Sequence, residues 1–281
     1  MRNIRLILEY DGSAFHGWQI QKNGVSVQET LAIAISAITG GKAMPTGAGR
    51  TDAGVHAYGQ VAAFQTESRI SAEKFADALN AVLPRSVAVV HSEEAEAGFH
   101  PRRDATGKHY RYLVLNRPCR SALMAHRAWH VPKALDFDGM QAAAHQLVGL
   151  HDFRAFCASG HSVKTYTRLM TRAEWSQTGD IVQFDIEGSG FLYNMVRILV
   201  GTMVEVGRGR RTADGFGAIL ASGDRRQAGI TAPPGGLYMM SVRYGELARD
   251  GVNPSYPCDR RIHTQAFNDM FPACPDEEED A

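Results

Sequence analysis

The stretch Gly47-Ala48-Gly49-Arg50-Thr51-Asp52-Ala53-Gly54-Val55-His56-Ala57 sets a guanidinium, a hydroxyl, a carboxylate and an imidazole into a run of glycines and small residues. Glycines let a backbone take positive φ or let another group come close. Arg50 and Asp52 are two residues apart, so in an extended segment they share a face and can pair bidentately. A turn in which the two merely tie the loop down accounts for the same residue types. A carboxylate can serve as nucleophile, general base or metal ligand. A metal would need further ligands, and only His56 is close in sequence. The stretch lacks the GK[ST] ending of a P-loop and the full GxGxxG of a dinucleotide site. A covalent or acid–base role for Asp52 is left, with Arg50 orienting it. An adjacent guanidinium favours an ionised carboxylate, which suits a nucleophile better than a general acid.

Working outward, residues 2–10 alternate as a strand with one well-buried face. The loop Phe15-His16-Gly17-Trp18-Gln19 follows, its aromatics available either to stack on bases or to tuck into the core. Ser26-Val27-Gln28-Glu29 is a capping box and predicts a helix closed by Gly40-Gly41. A strand is expected over 60–66. Ser71 then caps a second helix with Phe75, Leu79 and Val82 inward, and a strand follows over 87–90. Along 108–115, Tyr110, Tyr112 and Val114 share one strand face, while His109, Arg111, Leu113 and Leu115 share the other. A basic strand interleaved with tyrosines suits stacking and phosphate recognition of RNA, and Tyr112 reads as a core residue.

Residues 116–135 are irregular and divide two halves of similar element order, 1–115 and 116–245. The second half predicts a helix over 137–148, a polar mobile loop over 158–165, and strands over 168–176 and 181–187 joined at Thr178-Gly179-Asp180. A helix over 192–206 places Tyr193 and Arg197 one turn apart, Thr212 or Asp214 caps a short helix, and a last strand covers 238–244. This order implies an α+β body with a large, mainly antiparallel sheet.

The 281 residues are 44% hydrophobic and 21% charged, as in a soluble globular chain. No segment is apolar for long enough to span a membrane and no leader precedes the first strand, so a cytoplasmic location is expected. Four scattered cysteines form no metal spacing. The net charge is zero, but five acidic residues lie in Asp276-Glu277-Glu278-Glu279-Asp280. Without them, 30 basic side chains face 25 acidic ones, a net of +5. Basic residues cluster at Arg102, Arg103, Lys108 and Arg111, at Arg197, Arg208, Arg210 and Arg211, and at Arg225 and Arg226. A mildly basic body is compatible with phosphate binding. Residues 246–281 are expected to be a surface extension ending in a disordered acidic tail.

Several segments together resemble one family. Gly49-Arg50-Thr51-Asp52-Ala53-Gly54-Val55-His56-Ala57 is similar to the catalytic motif of the bacterial tRNA pseudouridine synthase A family. Tyr10-Asp11-Gly12, Phe15–Gln19, Phe99-His100-Pro101-Arg102-Arg103-Asp104-Ala105, Lys108–Tyr112, His151-Asp152-Phe153, Gly190–Arg197 and Ala232–Leu237 resemble further family segments in order, over residues 3–245. Phe99-His100-Pro101-Arg102-Arg103 departs from the family's Phe-Asp-Ala-Arg-Phe, and Gly107-Lys108-His109-Tyr110 from its Ser-Arg-Thr-Tyr.

The resemblance implies a pseudouridine synthase fold, with two α/β halves and an RNA-binding cleft between them. It implies isomerisation of uridine at positions 38, 39 and 40 of the tRNA anticodon stem-loop, no cofactor or metal, and a homodimer. It casts Asp52 as nucleophile or base, Arg50 as its partner and the holder of the extruded nucleotide, and Tyr110 as the residue packed on the uracil. Arg197 becomes a second ion pair near Asp52, and Leu237 a wall of the pocket. A non-catalytic RNA binder would not need the carboxylate, and a metal- or phosphate-dependent hydrolase would need ligands that the loop lacks.

Overall fold

The N-terminal alternation forms β1 (Arg2–Tyr10), and the capping box opens α1 (Val27–Thr39). Ser26 accepts a hydrogen bond from the Glu29 N–H, and Gly40 ends the helix in the left-handed region at φ 72°. The chain then forms β2 (Thr46–Gly47), β3 (His56–Thr66), α2 (Phe75–Asn80) and β4 (Val87–Ala95). After β5 (Ala105–Leu115) come β6 (Trp129–His130), α3 (Phe137–His145), β7 (Gly149–Asp152), β8 (Thr167–Thr178) and β9 (Ile181–Gly188). The last elements are α4 (Met195–Gly207), α5 (Ala213–Ser222) and β10 (Leu237–Tyr244). This computed structural model describes residues 1–160 and 163–245; the extension and acidic tail at 246–281 lie outside the described residues, as do two positions of the 158–165 loop.

The strands form one sheet in the order β4-β1-β3-β10-β5-β9-β8-β7, with β2 on β3 and β6 on β5. Pairing is antiparallel throughout this order except where β10 runs parallel to β3, with Tyr238 opposite His56 and Met239 opposite Ala57. The last strand thus lies between β3 and β5 and brings the segment before Leu237 next to the loop before His56. All five helices bury residues in a core on one sheet face, which also takes Tyr110, Tyr112, Leu237 and Met239. On the other face, Leu113, Leu115, Met124, Tyr238 and Met240 form a smaller cluster. Alternation along β5 assigned both faces correctly because strand side chains have a period of two.

Local expectations differ from the structure in several places. Ser71 makes no side-chain cap: a short 3-10 turn over Ala72–Lys74 precedes α2, and Val82, beyond the helix, is half exposed. The 137–148 helix ends at His145. The final long helix begins at Met195, because Asn194 takes a left-handed φ of 58° and breaks the helical run back to Leu192. Tyr193 is therefore off the helix and exposed, so the one-turn pairing with Arg197 does not form. The strand β7 was not read from the sequence, where His151-Asp152-Phe153 has no alternation long enough to mark it. Phe15 and Trp18 are buried, so the loop after β1 is core-packed and offers no stacking platform. No helix among the described residues is long and apolar enough to cross a membrane.

Candidate active site

The loop bearing Asp52 leaves the sheet after Gly47 and re-enters it at His56. The Ala48 N–H bonds the Val61 carbonyl at 2.8 Å. From there the loop is clamped by the segment after β1. The Trp18 N–H donates to the Thr51 carbonyl at 3.0 Å, and the Gly54 N–H donates to the Phe15 carbonyl at 3.3 Å. Beneath it, the Tyr10 and Thr51 hydroxyls share a buried 2.8 Å hydrogen bond, and the Gln60 amide donates to the Gly49 carbonyl at 2.8 Å. Gly17, at φ 85°, would put a Cβ 2.5 Å from the Thr51 carbonyl oxygen. The clamp therefore requires glycine there both for its conformation and for the close approach. Gly54, at φ 79°, completes a turn in which the Val55 N–H bonds the Asp52 carbonyl at 3.1 Å.

Asp52 sits on this supported loop with 29% of its side chain exposed. Its carboxylate Oδ2 accepts a hydrogen bond from Arg197 Nη1 at 3.1 Å. Arg197 comes from the first turn of α4 and is itself fixed: Nη1 also donates to Asn194 Oδ1 at 3.0 Å, and Nε donates to the Ala232 carbonyl at 2.8 Å. The same guanidinium thus joins the Asp52 loop, the start of α4 and the segment before β10. That segment is tied down in turn. The Ala232 N–H bonds the Arg197 carbonyl at 3.0 Å, the Gly229 N–H bonds Thr202 Oγ1 at 2.9 Å, and the Tyr112 hydroxyl donates to the Pro233 carbonyl at 2.7 Å.

The expected Arg50–Asp52 pair does not form. Arg50 is exposed and makes no ion pair among the described residues. The spacing argument fails because 48–55 is a loop, where two-residue alternation does not place side chains on one face. Tyr110 lies in β5 on the helix side of the sheet, 7% exposed, with its ring edge-on to Phe191 at 4.9 Å between centroids. Burial pushes the Tyr110 phenol well above its ordinary value, and Tyr10 and Asp52 close by push it further, so it stays neutral. Leu237 opens β10 on the same face, opposite Tyr112.

His56 is structural. Its Nδ1 accepts the Gly12 N–H at 3.1 Å, so Nε2 carries the proton and donates to the His126 carbonyl at 2.8 Å. The nearby Asp11 carboxylate, 3.2 Å from Nδ1, is then a neighbour of a neutral ring rather than an ion-pair partner. Burial lowers the His56 pKa, which agrees. Among the described residues, no three His, Cys, Asp or Glu side chains are grouped to hold a metal.

The basic clusters thin out once folded. Arg111 is buried on the opposite sheet face against Asp185 at 3.0 Å, Arg211 pairs with Glu205, Arg226 with Asp224 and Arg103 with Asp104. Lys108 was not singled out from the sequence as a site residue. It lies two residues before Tyr110, and that parity in an alternating strand is the signal that locates it on the same face. The supporting Tyr10, Thr51 and Gln60 have no sequence signal linking them, because they meet only when β1, the loop and β3 are assembled. A cavity of about 390 Å³ lined by Arg154, Cys157, Tyr166 and Arg225 includes none of the Asp52 cluster.

A family model described as tRNA pseudouridine synthase matches residues 6–102 and 143–245. The chain belongs to the tRNA pseudouridine synthase family. The synthase is 50% identical over 244 residues to tRNA pseudouridine synthase A of Acetivibrio thermocellus, an alignment covering 87% of this chain and 100% of the relative. It is 46% identical over 244 residues to tRNA pseudouridine synthase A of Geotalea uraniireducens, with the same coverage. The synthase is therefore an isomerase by family, and the matched segments contain Asp52, Arg197 and Leu237. Tyr110 falls between the two matched segments, inside the full-length relatives' alignments.

Proposed function

We propose that this synthase converts uridine to pseudouridine at positions 38, 39 and 40 of the tRNA anticodon stem-loop, with Asp52 as the nucleophile and no cofactor. The observation that carries the reading is the partly exposed Asp52 carboxylate, set on a clamped loop and oriented by Arg197, with the Tyr110 ring buried nearby. Pseudouridine formation is an isomerisation: the N1–C1′ bond breaks, the uracil turns, a C5–C1′ bond forms, C5 loses a proton and N1 gains one. No oxidant or activated group is required. The task is to hold a carboxylate and an extruded base in register away from bulk water.

Each residue has a role in that scheme. The target nucleotide leaves the stack and enters the site, and exposed Arg50 holds it extruded. Arg197 keeps the Asp52 carboxylate aimed. The neutral Tyr110 ring packs on the uracil, and its hydroxyl relays the C5 proton rather than storing negative charge. Leu237 forms part of the apolar wall. Two subunits contact one tRNA in a homodimer, which doubles the basic surface that each RNA meets.

The test is direct. Purified protein is incubated with an unmodified tRNA transcript in EDTA, and pseudouridine is mapped by carbodiimide-blocked primer extension. Stops at 38, 39 and 40 are expected from the wild type. A wild type that forms no pseudouridine would sink the reading, and stops elsewhere would reassign the target. Light scattering of the free protein, expected at twice the 30.7 kDa chain mass, tests the dimer.

A further inference from the structure

Lys108 occupies an unusual position. It lies on β5 opposite Gly188 of β9 and Val242 of β10, two residues before Tyr110 and on the same sheet face. Its amine reaches the catalytic loop: a Cβ built on Gly49 would lie 3.3 Å from Lys108 Nζ. A side chain at Gly49 would press on this amine and on the Met239 methyl group. The charges that act on this amine are those of Arg102 and Arg168, and among the described residues no carboxylate pairs with it. Among the described residues, Arg168 donates to the Thr165 and Thr167 carbonyls, at 2.9 and 2.7 Å, and Asp104 is paired with Arg103. The Arg168 side chain also runs beside Gly190, at the entry to the segment that carries Phe191.

Three like charges gathered at the rim of a site, one of them largely desolvated, are held together at a cost unless an anion joins them. Burial and the two guanidinium groups bring the Lys108 amine down to about 8, as expected of a cation lacking its counter-ion. The Arg197 guanidinium at the same site, by contrast, is answered from within the protein by Asp52.

We propose that Lys108, flanked by Arg102 and Arg168, seats a phosphate of the RNA backbone next to the extruded nucleotide. The inference rests on the reading of Asp52 and Tyr110 as the uridine site and adds where the backbone is held. Residues two apart on a strand are about 6.6 Å apart along it. A phosphate on Lys108 and a uracil on Tyr110 therefore belong to the same or adjacent nucleotides. A compact ammonium suits a single phosphate as a point charge, whereas the two arginines close around its remaining oxygens.

The test uses anticodon stem-loop RNAs, each with one backbone linkage made neutral as a methylphosphonate, and fluorescence anisotropy of the full-length protein. In the wild type, neutralising one linkage beside the target uridine should weaken binding about tenfold. The same RNA should bind Lys108→Met no worse than the unmodified RNA does, and Lys108→Arg should retain the wild-type sensitivity. The slope of log Kd against log salt should become shallower by about one counter-ion in Lys108→Met. Circular dichroism checks folding; if Lys108→Met is unfolded, Arg102→Gln at its exposed position supplies the same comparison with a partial loss of sensitivity. Wild-type indifference to every linkage flanking the uridine would overturn the seat, as would equal losses in wild type and variant. Failure of the uridine reading is separate: it appears as no pseudouridine from the wild type on unmodified RNA.

Discussion

Asp52, the proposed nucleophile, has few direct contacts of its own. Its carboxylate bonds Arg197, and its backbone closes the turn at Val55. Asp52→Asn keeps the shape and removes the charge, so pseudouridine formation should fall by about 10³-fold or more in single-turnover assays while tRNA binding stays within a few-fold. Retained turnover would remove Asp52 from its role. Arg197 is different, because it holds three acceptors at once: Asp52, Asn194 and the Ala232 carbonyl. Lysine cannot reproduce that planar fork. Arg197→Lys should lower kcat by about 10²-fold with little change in KM, since misplacement affects the reacting geometry more than RNA affinity. A change in KM alone would place Arg197 in binding instead.

Among the elements, α4 links packing to chemistry. Gly201 sits in the middle of this helix, where glycine costs about 1 kcal/mol relative to alanine. A Cβ there would overlap the Ile230 carbonyl oxygen, so glycine is what lets the segment before β10 lie against the helix. Gly201→Ala should destabilise the fold by about 1–3 kcal/mol and also reduce kcat, because displacing that segment moves the Ala232 carbonyl away from Arg197. A Tm loss without a rate loss would separate the two.

Across β5 and β9, Asp185 is buried between Arg111 at 3.0 Å and His109 at 2.6 Å, and Gln183 donates to it at 2.7 Å. Burial alone would raise this carboxyl; the hydrogen bonds and charges of His109 and Arg111 outweigh burial and hold it well below the usual carboxylate range. Its folded pKa is depressed, so its stabilisation is present above the unfolded value of about 3.9 and is lost as pH falls through the folded one. Asp185→Asn should cost about 3–5 kcal/mol at neutral pH. In urea titrations that gap should narrow as pH drops below about 4. A gap constant down to pH 2 would contradict the account.

At the scale of the whole molecule, one continuous sheet joins the two halves. The Asp52 loop precedes β3, Tyr110 lies on β5, and Leu237 opens β10 between them. Several arginines that look like an RNA footprint in the sequence pair with carboxylates of the chain: Arg111 with Asp185, Arg197 with Asp52 and Arg211 with Glu205. Affinity for tRNA should still weaken with salt, with a shallow slope that reads as few released counter-ions. A flat affinity from low to moderate salt would argue against phosphate contacts altogether. Removing Asp276–Asp280, five negative charges, should tighten nonspecific RNA binding; unchanged affinity would leave the tail without that role.

Sequence patterns determined what local physics can write. The capping box at Ser26, the alternation along β5 and the core stripe of α4 were all legible. Each depends on neighbours within a few residues, where periodicity and φ preferences act. The partner of Asp52 was a tertiary decision: nearby Arg50 does not pair with it, whereas Arg197 does, 145 residues away. The reason is geometric. A loop has no alternation to carry Arg50 onto the carboxylate's side, whereas placing β10 between β3 and β5 brings α4 and its guanidinium to the Asp52 loop. The same assembly decided that Trp18 packs inward, that Arg111 answers Asp185, and that Lys108, which has no carboxylate partner among the described residues, lies beside Gly49.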